Sequence, residues 1–284
     1  MKVIVTGGSG KAGRHVVSEL AQAGHEVINL DRDAPSKALP GTLIRIDLND
    51  AGEVYDAFAQ VRPEGVCHLA ANPSPSGFSR QGTFEGNVGI TYNVMQAAGE
   101  FGATRFIYAS SEMATGWLTT EELPPKFPFT EVDRVDSPNA YALSKYLGEV
   151  IADSMIVRYP HMSICSLRIN NVIPPEVNRE MLEPRRKEFP GPGSANFWSY
   201  IDARDVGGAF RAALEGSSAG HEAFLIAAAD TCIEVPIREA VKTRYGREGN
   251  FAAGHGDFQS AFDCGKMKKY FGWTPRYSWR DVAP

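Results

Sequence analysis

The chain has 284 residues, 43% of them hydrophobic, and a formal net charge of -5. That length builds one large α/β domain or one and a half smaller ones, and an acidic balance without blocks of one sign argues against nucleic-acid binding. No apolar run approaches membrane-spanning length, Met1-Lys2 leads into a strand with no signal-peptide pattern, and Cys67, Cys165, Cys232 and Cys264 lie too far apart for metal-ligand spacing. A reduced cytoplasmic protein, with no metal and no membrane or nucleic-acid partner, is the expectation.

Val3-Ile4-Val5 reads as a buried first strand, and Lys11 to Ala23 as a helix with Val16, Val17, Leu20 and Ala21 at helical spacing. Between them runs Thr6-Gly7-Gly8-Ser9-Gly10-Lys11-Ala12-Gly13. Strand, glycine turn and helix together make a phosphate-binding candidate rather than an ordinary tight turn. Glycines permit the turn, close approach of the backbone to a pyrophosphate and close helix–strand packing, while the new helix offers free N–H groups and its positive dipole end. Gly7, Ser9, Gly10, Lys11, Ala12 and Gly13 are therefore cofactor candidates.

Glu26 to Leu30 forms a second strand ending at Asp31-Arg32, 18 residues beyond Gly13. A carboxylate there accepts from both ribose hydroxyls and repels a 2′-phosphate, which favours NAD over NADP. Arg32 and Lys11 could both reach a 2′-phosphate, so NADP is left open. Thr42 to Ile46 is a third strand, with Asp47 and Leu48 placed to meet an adenine edge. Asn49 or Asp50 starts a helix over Asp50 to Val61. Gly65 to Leu69 is a fourth strand, and the small Ala70 and Ala71 after it let a dinucleotide lie close, with Pro73 on the substrate side. His68 reads as a sheet-packing residue rather than a catalytic one. A helix over 83 to 101 carries Asn87, a further cofactor candidate, and Arg105 to Ala109 is strand five, ending at Ser110-Ser111-Glu112. These alternations predict parallel βαβ units and a doubly wound sheet.

Ser137-Pro138 is expected to start the next helix, serine as cap and proline in the first position. Tyr141 and Lys145 share a face of it, and Leu143, Leu147, Val150 and Ile151 supply apolar surface. Ser163 to Leu167 is strand six, followed by Arg168-Ile169-Asn170-Asn171. Residues 174 to 197 hold five prolines and many charges, so a loop-rich insertion is expected there. Phe197 to Ile201 reads as a strand, and Asp202 as the cap of a helix over Val206 to Leu214. A strand at Ala223 to Ile226 and helices near 236–245 and 263–270 are expected to complete a small second lobe, discontinuous with the sheet. The division is a dinucleotide-binding domain over 1–170 and a mainly substrate-binding lobe over 171–284, interleaved with the core in one compact unit without internal repeats.

Tyr141 and Lys145 are the candidate catalytic pair. A phenol is a poor base at neutral pH; a nearby ammonium group and a positively charged nicotinamide ring favour the phenolate and are expected to lower its pKa. The phenolate takes a proton from a substrate hydroxyl as hydride leaves the carbon. Ser111, at the carboxyl edge of strand five where such sheets bind ligands, hydrogen-bonds the same oxygen. Ala109, Ile169 and Asn171 flank the cofactor at that edge, and Pro73, Glu112, Asn170 and Arg179 are substrate candidates.

At this point the sequence resembles the extended short-chain dehydrogenase/reductase superfamily in its sugar epimerase/dehydratase branch. Thr6 to Gly13 fits the branch's Thr-Gly-x-x-Gly-x-x-Gly turn and His68-Leu69-Ala70-Ala71 its His-Leu-Ala-Ala segment. Asn87-Val88 with Thr91 resembles its Asn-Val-x-Gly-Thr helix, with Ile90 in place of the glycine. Tyr108-Ala109-Ser110-Ser111, Tyr141 to Lys145, Leu167 to Asn171 and Phe271-Gly272-Trp273-Thr274-Pro275 match as well. The resemblance covers nearly the whole chain. It implies a Rossmann-type sheet of about seven strands, Ser/Tyr/Lys chemistry, and a homodimer through helices near 84–101 and 138–158.

Departures narrow the activity. The 4,6-dehydratases carry an Asp-Glu pair after the strand-five Thr, where Glu112-Met113 keeps one acid. Nucleotide-sugar epimerases commonly place an arginine just before the segment matching Tyr200-Ile201; this chain has Trp198-Ser199 and lacks their late Arg-x-Gly-Asp segment. A diphosphate without that clamp loses charge-assisted hydrogen bonds. Length and the run from Ser166 through Leu182 look more like uronate dehydrogenases, although Glu180 falls where their carboxylate-binding arginine is expected, with Arg179, Arg185 or Arg186 as substitutes. Three readings follow: an NAD-dependent oxidoreductase of a sugar, sugar acid or related polyol; an epimerase that retains its cofactor; and a non-catalytic dinucleotide-binding regulator, which the intact Ser111, Tyr141 and Lys145 disfavour.

Overall fold

The computed structural model describes residues 1–73, 79–187, 189–191 and 194–281, with the side chain of Arg179 outside that description. The first half alternates strand and helix: β1 (Lys2–Thr6), α1 (Gly13–Gln22), β2 (Glu26–Asp31), β3 (Thr42–Arg45), α2 (Ala51–Val61), β4 (Gly65–His68), α3 (Arg80–Glu100), β5 (Arg105–Ser111), α4 (Ala140–Arg158) and β6 (Ser163–Ile169). The second half adds β7 (Val172–Ile173), α5 (Asn178–Lys187), β8 (Ile201–Asp202), α6 (Ala203–Glu215), β9 (His221–Ile226), α7 (Ile237–Tyr245) and α8 (Gly265–Phe271).

Seven strands form one parallel sheet in the order β3-β2-β1-β4-β5-β6-β9, a Rossmann-type α/β fold. Its strands are apolar on both faces because helices cover both. Val3, Val5, Leu167 and Phe224 pack with Val16, Val17 and Leu20 of α1 and Val206 and Phe210 of α6. Ile4, Leu30, Val66 and Phe106 pack against α2, α3 and α4 through residues such as Phe58, Val94 and Met155. The strand order reverses between β1 and β4, so the loops after these strands diverge and open a crevice at the carboxyl edge.

Several elements depart from the sequence expectation, each for a local reason. α4 begins at Ala140, not at Ser137-Pro138: Asn139 is the cap, its Oδ1 accepting from the N–H groups of Tyr141 and Ala142 at 2.9 and 3.1 Å. The Ser137 hydroxyl is spent on the Asn139 N–H at 3.2 Å. Of the two candidate caps for α2, Asp50 holds the position, accepting from Gly52 and Glu53. Within the expected loop of 174–197 lies α5, which carries Pro184 in its interior. An acid in its first turn and Arg185, Arg186 and Lys187 in its last suit the helix dipole, and Leu182 anchors it in apolar surroundings. Phe197 and Trp198 do not join a strand, because both have φ of 52°, outside the extended region. Only Ile201 and Asp202 pair, with β7.

The largest correction concerns β9. It pairs with β6 along its length, Ile164 with His221 through Ile169 with Ile226, and completes the main sheet instead of standing apart from it. Phe224 and Ile226 face the α1/α6 side while Leu225 faces the other, and burying both requires two-sided cover. A third apolar cluster, rich in aromatics, joins the chain after β5 (Trp117, Phe127, Phe129) to the chain after α5 (Phe197, Trp198, Tyr200) and to α7.

Candidate active site

A cleft of about 710 Å³ runs along the carboxyl edge of the sheet, from the glycine turn to the start of α4. Gly7 has φ of +69°, and a Cβ there would stand 2.7 Å from the Ala70 N, so the turn and the end of β4 touch through backbone alone. A Cβ on Gly13 would press on Gly8 at 2.7 Å, which is why α1 can start against the turn. At Gly10, by contrast, a Cβ would meet only the Gly7 carbonyl, at 3.2 Å; what it would fill is cleft.

The turn is tied to β2 by side chains. Gly8 donates to Asn29 Oδ1 at 3.0 Å, Asn29 Nδ2 to the Ser9 hydroxyl at 3.1 Å, and the Ser9 N–H to Asp31 Oδ2 at 2.9 Å. Asp31 therefore stands at the end of β2 as an acceptor, its other oxygen taking the Asp33 N–H at 3.3 Å. Arg32 turns toward Asp33 at 3.5 Å. Among the described residues, no backbone carbonyl accepts from the N–H groups of Lys11, Ala12 or Gly13, which leaves unspent donors at the start of α1. Asp47 accepts from the backbone and side chain of Asn49, which hold its carboxyl below the usual range.

Ser9, Lys11, Ala12, Arg32, Leu48, Leu69, Ala70, Ala71, Ala109, Ile169 and Asn171 all line the cleft with the glycines, Asp31 and Asp47. Asn87 does not. It is 1% exposed and sits behind the wall, accepting from the Asn72 N–H at 2.7 Å and donating to the Asn72 carbonyl and the Ser144 hydroxyl. With its polar atoms so engaged it shapes the loop after β4. His68 packs in the sheet as expected, bonded to Thr6 at 2.6 Å and stacked on Tyr108.

At the other end, Tyr141 and Lys145 share the cleft face of α4 with Ser111 opposite. Lys145 is 3% exposed; its Nζ donates to the Ala109 carbonyl at 2.8 Å and lies 5.8 Å from the centre of the Tyr141 ring. Burial brings its pKa down to about 7. Burial also pushes the Tyr141 phenol up to about 12, against the hydrogen bond from Ser111 that draws it down. The expected lowering of the phenol is thus not a property of the protein alone: Lys145 is aimed at Ala109, and desolvation outweighs it. Beneath this pair, Glu149 accepts from Ser110 at 2.6 Å and pairs with the buried Arg168 at 2.8 Å, locking α4 to the ends of β5 and β6. Sequence reading missed that anchor, although Glu149 stands one turn beyond Lys145.

The substrate candidates Pro73, Glu112 and Asn170 also line the cleft, while the Arg179 side chain lies outside the described residues. Burial raises Glu112 to about 8, so it is a neutral acid at neutral pH. Met113, Ile90 and Val172 join the wall without standing among the residues the sequence marked for the site, since only the fold brings them there.

The profile of the NAD-dependent epimerase/dehydratase family matches residues 3–227. The chain belongs to this family. Its fold is that of solved members: a UDP-glucose 4-epimerase of Thermotoga maritima with UDP-glucose superposes with a TM-score of 0.74 at 23% identity, covering 98% of this chain and 94% of that one. The Thermus thermophilus UDP-glucose 4-epimerase in complex with NAD gives 0.71 at 25% identity, with 99% and 96% covered. A UDP-glucose 4-epimerase of Lacticaseibacillus casei is 25% identical over 98% of this chain and 92% of its own length. Likeness to UDP-glucose 4-epimerase 1 of Oryza sativa subsp. japonica, also 25%, spans 60% of this chain and only 51% of that protein, so the match covers about half of that relative. As a family member the protein is an NAD-dependent enzyme of the epimerase/dehydratase type. The donor set fits NAD: unspent N–H groups at the start of α1, open space at Gly10, and an aspartate side chain at the end of β2. Among the described residues no helix is long and apolar enough to cross a membrane, and no cluster of side chains suits a metal.

Proposed function

We propose that this protein transfers hydride between NAD and a sugar, sugar acid or related polyol, with Ser111, Tyr141 and Lys145 as its catalytic groups. The observation that carries the reading is their convergence on one cleft, beside the glycine turn and Asp31. NAD, when bound, supplies the hydride acceptor. Ser111 holds the reacting hydroxyl; Tyr141, as phenolate, takes its proton as the C–H bond breaks and the carbonyl forms. Lys145 lends positive charge and, with a pKa near neutrality, passes the proton on. The glycine turn, Lys11 and Ala12 receive the pyrophosphate, Asp31 the adenosine ribose, and Asp47 and Leu48 the adenine.

An epimerase that oxidises and then reduces the same carbon is the second reading, favoured by relatives named as UDP-glucose 4-epimerases. Against it, Trp198 is fully buried with its Nε1 on the Pro190 carbonyl, and the Ser199 hydroxyl faces Ser260. That segment offers no cation to a diphosphate. The reading includes a homodimer through α3 and α4, supported by the exposed Leu143, Val150 and Val157 spaced seven residues apart along α4, with Tyr92 exposed on α3. It also includes a cytoplasmic location, supported by four scattered free cysteines.

The test is NADH formation from NAD with a panel of aldoses, uronic acids and nucleotide sugars. Net NADH with a free sugar or acid supports the oxidoreductase; stereochemical conversion of a nucleotide sugar without net NADH replaces it with the epimerase.

A further inference from the structure

Glu112 follows Ser111 in the chain, lines the cleft and is 5% exposed. Its backbone is fixed in the short helical turn after β5, where its carbonyl accepts from the Thr115 hydroxyl at 2.7 Å. The two carboxyl oxygens differ. Oε1 faces Asn196 Nδ2 at 3.4 Å, whereas Oε2 is buried with no hydrogen-bond partner among the described residues. A buried polar atom left alone in a cleft asks for a ligand.

The bonds around Asn196 say which oxygen holds the acid proton. Asn196 Nδ2 also donates to the Ser199 carbonyl at 2.9 Å and to Asn170 Oδ1 at 3.2 Å. A backbone carbonyl cannot donate, and Asn170 Oδ1 is itself fixed as an acceptor by the Asn171 N–H at 2.7 Å. The nitrogen of Asn196 is therefore the atom turned to Glu112, and Oε1 accepts. Burial pushes the acid up to about 8, against the Arg185 charge and the hydrogen bonds of Asn196, Asn171 and Asn170, so near neutral pH it keeps its proton. With Oε1 accepting, that proton stands on Oε2, where no protein atom receives it. An oxygen brought by the substrate would receive it and remove the cost of a buried, unpaired donor.

The position of the carboxyl narrows which oxygen this is. Glu112 acts on the Tyr141 phenol, and Ser111 bonds that same phenol, so the acid lies beside the reacting hydroxyl. We infer that Glu112 is a specificity-determining donor, bonding through Oε2–H an oxygen on the carbon next to the reacting carbon, so that the protein selects vicinal diols. The inference rests on the oxidoreductase reading and adds a feature that its substrate carries. Once ionised, Glu112 can only accept, and its charge also holds the phenol protonated.

The experiment is calorimetric titration of the NADH-loaded parent, Glu112→Gln and Glu112→Ala with glucose and galactose, each beside its monodeoxy forms. At about pH 6.5, removal of one ring hydroxyl should weaken binding about tenfold in the parent, the scale of a buried donor left unmet. Glu112→Gln should show the same loss, because its amide nitrogen donates from the same place, and Glu112→Ala should show none. At about pH 9 the parent should bind the intact sugar about tenfold more weakly, while Glu112→Gln, which does not titrate, holds its affinity. Lys145, brought down to about 7, titrates in the same cleft, and Tyr141 and Arg185 face Glu112; all three are common to parent and variant and cancel in the comparison. A pH loss shared by Glu112→Gln, parent affinity that rises with pH, a deoxy penalty that survives Glu112→Ala, or no binding across the panel would each overturn the assignment. Should Glu112→Ala fail to fold by its melting temperature, the comparison of parent and Glu112→Gln across pH decides alone. A sugar that binds with this pattern but yields no NADH when NAD replaces NADH would refute the oxidation and leave the donor standing. NADH formation at equal kcat/KM from the sugars and all their deoxy forms would do the reverse.

Discussion

The two ends of the cleft are built on different rules. At the cofactor end the side chains are committed to one another: Asn29, Ser9 and Asp31 clamp the glycine turn to β2, and Asn87 closes on Asn72. What remains for a ligand is mostly backbone, namely the N–H groups of Lys11, Ala12 and Gly13. At the substrate end the cleft-lining Glu112, Asn170 and Asn171 each keep a buried side-chain atom without a partner. A backbone cradle depends on turn geometry and tolerates few changes; a side-chain subsite can be altered residue by residue while the cradle stays in place.

Tyr141 stands where the two ends meet, and its substitution carries the largest expected effect. Tyr141→Phe should cut turnover by about 10²–10⁴-fold, the span of general acid–base catalysis, with NAD affinity largely intact by fluorescence titration. Unchanged turnover would end its role as base.

Asp31→Ala probes the cofactor end. NAD should bind about tenfold more weakly, on the order of 1.4 kcal/mol, with a smaller change for NADP, since the lost group accepts from the ribose but repels a 2′-phosphate. If equilibrium binding showed NADP suffering more than NAD, the ribose assignment would be wrong.

The smallest effect is a pH dependence at the substrate end. Burial raises Glu112 from 4.5 to about 8, so the folded protein holds a proton that the unfolded chain releases across that window. Stability from this group is full below pH 4.5, falls as pH rises to about 8, and is level above. Glu112→Gln lacks that slope, so its melting temperature should gain on the parent between about pH 5 and pH 8 and hold its lead beyond. Lys145, lowered from 10.5 to about 7, contributes a slope of opposite sign at higher pH that is common to both proteins and cancels in the difference. A pH-independent difference would show that Glu112 is ionised in the folded state.

Much of the cofactor end was legible in the sequence because its determinants are local. A glycine turn, the strand before it and the helix after it occupy one short stretch, and Asp31 follows at a spacing set by one helix and one strand. Tyr141 and Lys145 likewise share a face by helical periodicity alone. That Asn87 stands behind the cleft wall was not legible, because adjacency in a motif does not say whether a side chain points into a crevice or behind its wall. The insertion after β7 was misread because proline count hid a helix whose end charges and buried Leu182 sustain it.

By itself the sequence determined the doubly wound α/β class and the places of the glycine turn, Asp31, Ser111, Tyr141 and Lys145, all of which rest on short-range spacing or on residues at strand ends. Only the tertiary structure decided that β9 completes the sheet, that burial raises the Tyr141 phenol while Lys145 turns to Ala109, and that Asn196 meets Glu112. Those outcomes depend on desolvation and on contacts between residues as far apart as Glu112 and Asn196, and neither is encoded in any local pattern.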